Sequence, residues 1–228
     1  MFLHEGLGSL AMWKEFPSRV AHAAGCNALV YSRRGHGRSD PLGAAHRIDF
    51  MHAEALDVLP ALLDAFGIAK PVLLGHSSGA SIALIHAGGS NRPLEGVIAM
   101  APHVIVEDRT VQSIASAREA YLTTDLREKL GRHHRDPDAV FASWTDIWLD
   151  GAFRAWNIEE YVARIVCPVL AIQGEDDEYG TMDQIERIAR LAPDVDLVKL
   201  SDCRHSPHRD QPDAVIDAIV RFIDRLRG

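Results

Sequence analysis

The stretch Leu73-Leu74-Gly75-His76-Ser77-Ser78-Gly79-Ala80-Ser81-Ile82-Ala83-Leu84 constrains the fold more than any other part of the chain. The apolar run Val72-Leu73-Leu74 predicts a short buried strand. It breaks at Gly75-His76-Ser77-Ser78-Gly79, after which small and apolar residues continue at helical spacing. A serine on so sharp a strand-to-helix turn is pushed out of the backbone's path, and its hydroxyl stands exposed. The glycines two before and two after let the turn close without a Cβ clash. The following helix aims its first free N–H groups at the same spot, which suits a developing negative charge. Gly-x-Ser-x-Gly by itself also describes an ordinary turn, so the rest of the chain has to decide.

Around this turn, strands and helices alternate. A helix is expected over 12–24, a strand over 28–31, a helix over 51–66, the strand and helix of the turn itself, and a strand over 96–100. The pattern then lapses into helices alone over 110–121, 125–133, 138–149 and 158–165. It resumes with a strand over 169–173, a helix over 181–191, a strand over 196–200 and a closing helix over 214–226. Almost wholly apolar strands separated by helices predict an α/β fold, a mostly parallel sheet covered on both faces. The domain reading is a core of 1–103 and 167–228, with 104–166 inserted as a helical cap. In such a sheet the ligand crevice lies beyond the carboxyl ends of the strands, where His4, Ser32, Ser77 and His103 all fall. Of the cap aromatics Phe141, Trp144 and Trp148, one is expected on the pocket. Together with Trp144, His76 and His103 are taken as substrate-lining.

A net charge of -8 over 228 residues argues against nucleic acid or an anionic membrane as partner. Arg132-His133-His134-Arg135 is read as solvated helix surface. The loop Ser32-Arg33-Arg34-Gly35-His36-Gly37-Arg38-Ser39 has neither phosphate-loop nor dinucleotide spacing, so its glycines are turn residues and its arginines structural or solvated. Three widely spaced cysteines, Cys26, Cys167 and Cys203, form no metal pattern and fit a reducing compartment. With no signal peptide or bilayer-length apolar run, a cytoplasmic location is expected. No metal or other cofactor is expected, and no oligomeric state is specified.

A serine hydroxyl needs a base to take its proton and a third group to hold that base in the right tautomer. The chain supplies Ser77, then an acid at a strand end near 175–177, then His205 in the loop after the last strand. Nucleophile, acid and base in that order, each in a loop beyond a strand, belong to one architecture among the known triads.

At these residues the sequence resembles the α/β-hydrolase superfamily, and within it small capped bacterial serine hydrolases. The resemblance runs from His4-Glu5-Gly6-Leu7-Gly8-Ser9 to His205-Ser206-Pro207-His208-Arg209-Asp210-Gln211-Pro212. It implies Ser77 as nucleophile, His205 as base and Asp177 as orienting acid, Asp176 being left to the turn or to solvent. The backbone N–H groups of Gly6 and Ser78 would form the oxyanion hole. Relatives have His-Gly where this chain has His4-Glu5, an aspartate at the Ser32 position, and glycine in place of Arg204. Glu5 is expected toward solvent, and Arg204 is expected to alter the histidine loop or lower the imidazole's pKa. Relatives also place two strands before the oxyanion loop, so an exposed sheet edge is expected at Phe2-Leu3.

The implied chemistry is hydrolysis of a small carboxylic ester or thioester through an acyl-enzyme. The same triad serves carbon–carbon bond hydrolysis of meta-cleavage type, and a non-catalytic ligand-binding relative is the rival from another class. Haloalkane dehalogenation needs an aspartate at Ser77. A metal-dependent hydrolase would need a His-Glu-x-x-His or carboxylate cluster, which the sequence does not supply.

Overall fold

The computed structural model describes residues 1–43 and 46–228. Five parallel strands form one sheet in sequence order: β1 (Phe2–Leu3), β2 (Val72–His76), β3 (Gly96–Met100), β4 (Val169–Gly174) and β5 (Val195–Leu200). The register sets Leu3 beside Gly75, Gly75 beside Ala99, Met100 beside Ile172, and Gly174 beside Leu200. The strand expected over 28–31 shrinks to one parallel bridge, Phe2 to Val30. Its neighbour β1 is itself only two residues long.

The helices are α1 (Phe16–Ala23), α2 (Phe50–Ala53), α3 (Leu59–Ala65), α4 (Ser78–Gly89), α5 (Asp108–Thr123), α6 (Leu126–Gly131), α7 (Pro137–Trp148), α8 (Glu159–Val162), α9 (Asp183–Leu191), α10 (Pro207–Asp210) and α11 (Pro212–Arg227). The helix expected over 51–66 is not uniform, because a π-helical turn, Glu54–Val58, separates α2 from α3. Pro60 explains it. Proline has no N–H for the carbonyl four residues back and its ring collides with it, so the preceding turn widens.

Side chains alternate across the strands and so divide the core in two. Leu73, Val97, Ala99, Val169 and Ala171 face α4 and its neighbours, while Leu74, Ile98, Met100, Leu170 and Ile172 face α1 and α11. On that second face Ile219 and Phe222 are fully enclosed, and each such side chain contributes about 1.5–3 kcal/mol. Helix α4 is buried all round from Ser78 to His86, which is why its sequence is small and apolar with no polar stripe. Between β3 and β4 the chain runs through helices only, α5 to α8 with a 3₁₀ turn, Gly151–Ala155. No helix among the described residues is long and apolar enough to cross a membrane.

Candidate active site

At the end of β2 the chain turns directly into α4 through Ser77, whose φ of 53° and ψ of -122° are strained for any residue but glycine. Such a conformation costs on the order of 1–3 kcal/mol and persists only where its surroundings enforce it. Here they do. A Cβ on Gly75 would lie 2.3 Å from the Gly79 carbonyl oxygen, and one on Gly79 would lie 2.1 Å from the Leu3 oxygen. The turn therefore closes only with glycine on both sides. The Ser77 N–H donates to the Met100 carbonyl at 2.9 Å, fixing the elbow to β3. Ser78 is the first residue of α4, so its N–H has no intrahelical acceptor.

Beyond β4, Gly174 leads into the acid turn. Asp177 is 1% exposed, whereas Glu175, Asp176 and Glu178 are exposed. Its Oδ1 accepts the N–H groups of Tyr179 at 2.8 Å and Gly180 at 3.2 Å, and Gln173 Nε2 donates to Oδ2 at 3.2 Å. The His205 Nδ1 lies 2.9 Å from Oδ1 and 3.0 Å from Oδ2. Burial pushes the Asp177 pKa up. The charge and hydrogen bond of His205, with the Tyr179 N–H, outweigh that and hold it below the ordinary value. In a neutral His205 the proton thus sits on Nδ1, and Nε2 is left as an acceptor. Among the described residues no hydrogen bond joins Ser77 Oγ to this ring, a contact that often tightens only with substrate bound.

The histidine loop is tied down from two sides. Its own N–H donates to Glu178 Oε2 at 3.1 Å, and its carbonyl accepts from His76 Nε2 at 2.7 Å. His76 is 1% exposed and packs on the His208 ring at 4.8 Å. It therefore braces the histidine loop. Glu5 departs from expectation. Its side chain turns inward, with Oε2 3.6 Å from His76 Nδ1 and Oε1 3.6 Å from Arg209. Burial opposes ionisation there, yet His76, His4 and Arg209 hold the Glu5 carboxyl well below the usual carboxylate range. Gly8 makes the room, since a Cβ on it would meet Glu5 Oε2 at 2.4 Å. Arg204 is exposed, and its backbone N–H donates to Asp210 at 2.8 Å in the short α10 that fixes the loop. Ser32 accepts the Leu10 N–H at 2.9 Å, doing loop work at the relatives' aspartate position.

Trp144 stands over the loop that carries Gly6, close enough that a Cβ on Gly6 would lie 2.4 Å from its Cδ1. The Gly6 N–H has no acceptor among the described residues. His103 is buried, 5.8 Å ring to ring from His205 and 4.8 Å from Trp148. Its pKa is pushed down to about 3 by burial first and by His205 second, and its Nδ1 has no partner among the described residues. No sequence pattern marks Tyr179, yet its ring lies 4.7 Å from His205 and 6.3 Å from Trp144. His134 is buried, contrary to the solvated reading. It accepts the Gly37 N–H at 2.9 Å and donates to the Leu7 carbonyl at 2.9 Å.

A strained serine elbow at the end of β2 and a buried carboxylate–imidazole pair in the loops after β4 and β5 thus lie at the carboxyl ends of a parallel sheet. The sequence pattern of the alpha/beta hydrolase family matches residues 1–218. The chain belongs to the alpha/beta hydrolase family. This hydrolase is 22% identical over 250 residues to the sn-1-specific diacylglycerol lipase of Danio rerio, spanning 98% of this chain and 77% of the lipase. It is 25% identical over 244 residues to the proline iminopeptidase of Saccharolobus solfataricus, spanning 89% and 77% of the two chains. Among solved structures it is similar to a carboxylesterase of Nitrososphaera gargenis. That match has a TM-score of 0.78 at 18% identity and covers 99% of this hydrolase and 89% of the esterase.

Proposed function

We propose that this alpha/beta hydrolase is a serine hydrolase that cleaves a small carboxylic ester or thioester through an acyl-enzyme. Ser77 Oγ attacks the acyl carbon while His205 Nε2 takes its proton, and the carbonyl π pair moves onto oxygen. The N–H groups of Gly6 and Ser78 receive that oxyanion, each contributing about 3–4 kcal/mol. Collapse expels the alcohol or thiol, protonated by His205. Water, deprotonated by the same ring, then releases the acid and restores Ser77. Asp177 keeps the ring in the required tautomer and balances its charge.

The observations that carry this reading are the Asp177–His205 pair, bonded at 2.9 and 3.0 Å, and an elbow serine at φ 53° at the end of β2. The relatives named as lipase, carboxylesterase and iminopeptidase support acyl transfer to water as the shared chemistry. Segment 104–166 acts as the cap over a core of 1–103 and 167–228. Trp144 and His103, with Tyr179, form the substrate side of the crevice. A panel of p-nitrophenyl esters of increasing acyl length tests the reading. Turnover by the parent chain, abolished in Ser77→Ala with the fold intact, is expected; near-parent turnover by Ser77→Ala would contradict it.

A further inference from the structure

Arg33 is 3% exposed, and among the described residues no carboxylate forms an ion pair with it. The Glu54 and Glu5 carboxylates act on its charge from beyond ion-pair distance, and a guanidinium so shut away from water is costly unless its donors are well used. Among the described residues, its side-chain hydrogen bonds all go to backbone carbonyls of the loop that carries Gly6. Nη1 donates to the His4 carbonyl and Nη2 to the Glu5 carbonyl at 3.0 Å. Arg33 reaches the same peptide by a third route. Its backbone N–H donates to His4 Nε2 at 3.0 Å, which forces the His4 proton onto Nδ1, and Nδ1 donates to the Glu5 oxygen at 2.8 Å. The Gly8 N–H adds another bond to that oxygen at 3.1 Å.

The Glu5 carbonyl and the Gly6 N–H belong to one planar peptide and point in opposite directions. Anchoring the oxygen in this scaffold turns the N–H away from it, with no acceptor of its own. The next two carbonyls are held as well, Gly6 facing His36 Nε2 at 3.0 Å and Leu7 accepting from His134. Only Arg33 brings a permanent positive charge. Donation of a cation's proton to a carbonyl polarises the whole amide and strengthens the N–H on its far side. The planar fork also spans two successive carbonyls, which the single ammonium of lysine does not reproduce.

We propose that Arg33 is a positioning residue for the transition state: it fixes and polarises the Glu5–Gly6 peptide so that the Gly6 N–H meets the oxyanion. The proposal rests on the serine hydrolase reading and on Gly6 as an oxyanion donor. Arg33→Met removes the fork but keeps the backbone N–H that sets the His4 tautomer, and Arg33→Lys keeps a charge without the fork.

The test measures kcat per active site, the sites being counted by fluorophosphonate titration of the full chain. The substrates are p-nitrophenyl acetate and its thiono analogue, whose sulfur fits an oxyanion hole poorly. For Arg33→Met the ester kcat should fall about 10²-fold with KM held within about threefold. The ester-to-thionoester rate ratio should shrink with it, because only the oxygen's advantage is lost. Arg33→Lys should lose about tenfold with the same compression, and it decides the matter if Arg33→Met does not fold. An unchanged kcat per titrated site, or equal losses on ester and thionoester, would overturn the proposal. Ser77→Ala separates the two readings. If it retains turnover, both fall; if it is inactive while the Arg33 variants are unimpaired, the positioning role alone falls.

Discussion

Replacing Asp177 by asparagine tests the acid at fixed shape. The imidazole Nδ1 sits between the two carboxylate oxygens, at 2.9 and 3.0 Å. An amide offers it one acceptor and one donor, so the proton on Nδ1 loses its preference and part of the population carries it on Nε2, where it cannot accept from Ser77. The charge is lost as well. Two unit charges about 4 Å apart at an effective dielectric of about 20 interact by about 4 kcal/mol, about 10³ in rate. Loss of the tautomer adds to this, toward the about 10⁴ seen when a triad aspartate becomes asparagine. Orientation of the new amide is also constrained. Oδ1 must keep accepting from Tyr179 and Gly180, which sends the NH₂ to the Oδ2 side, against Gln173 Nε2. Gln173 cannot flip freely, because the same nitrogen donates to the Gly180 and Thr181 carbonyls at 3.1 Å. The donor–donor clash should cost about 1–3 kcal/mol of stability. The assay is p-nitrophenyl ester turnover per titrated site, with urea unfolding alongside and the exposed Asp176→Asn as control. A kcat for Asp177→Asn within tenfold of the parent, or an equal loss for Asp176→Asn, would refute the reasoning.

Other perturbations follow from the same contacts. Burial, with nearby cationic or imidazole groups, pushes the pKa of His36 and His103 down to about 3 and of His208 to about 2. The unfolded chain protonates these rings near 6.5, so their stability is full above that pH and drains as pH falls toward 3, about 2 kcal/mol per ring at pH 5. Urea midpoints should drop steeply between pH 7 and 5. His208→Phe, filling a site already walled by Trp13 and Phe16, should flatten that slope; an unchanged slope would show that His208 does not contribute. Gly79→Ala should cost at least about 3 kcal/mol or fail to fold, because the new methyl meets β1 backbone that cannot yield, and thermal melts would read it. Trp144→Ala should raise KM for short acyl esters and shift the chain-length profile upward, with kcat within about tenfold, since it walls the loop without touching the triad.

Much of the architecture is legible in the sequence because it is written in local pattern. Val72-Leu73-Leu74 and Gly75-His76-Ser77-Ser78-Gly79 specify strand, elbow and helix within a few residues, and the glycine pair is needed for backbone reasons alone. The order Ser77, acid turn, His205 is equally readable, since each residue follows a strand, apolar in β2 and β4 and alternating in β5. What stays hidden rests on side chains meeting distant backbone. Arg33 grips carbonyls of His4 and Glu5, and His134 grips Leu7 across 127 residues of sequence. A carbonyl is present at every position, so no residue type marks the acceptor. Glu5 turning toward His76 depends on room left by Gly8, and His76 becomes a brace because α10 brings His208 against it. The reduction of the 28–31 strand to a single bridge depends on pairing with the short β1, far away in sequence, whereas the π turn ahead of Pro60 is a local effect of one missing N–H.

Everything proposed for this hydrolase depends on Ser77 acting as its nucleophile. Intact-mass and peptide mass spectrometry after exposure of the full chain to a fluorophosphonate test it most directly. One adduct per chain is expected, on Ser77, absent from Ser77→Ala and slowed in Asp177→Asn. An unlabelled parent chain that is fully folded, or an adduct on another residue, would contradict it.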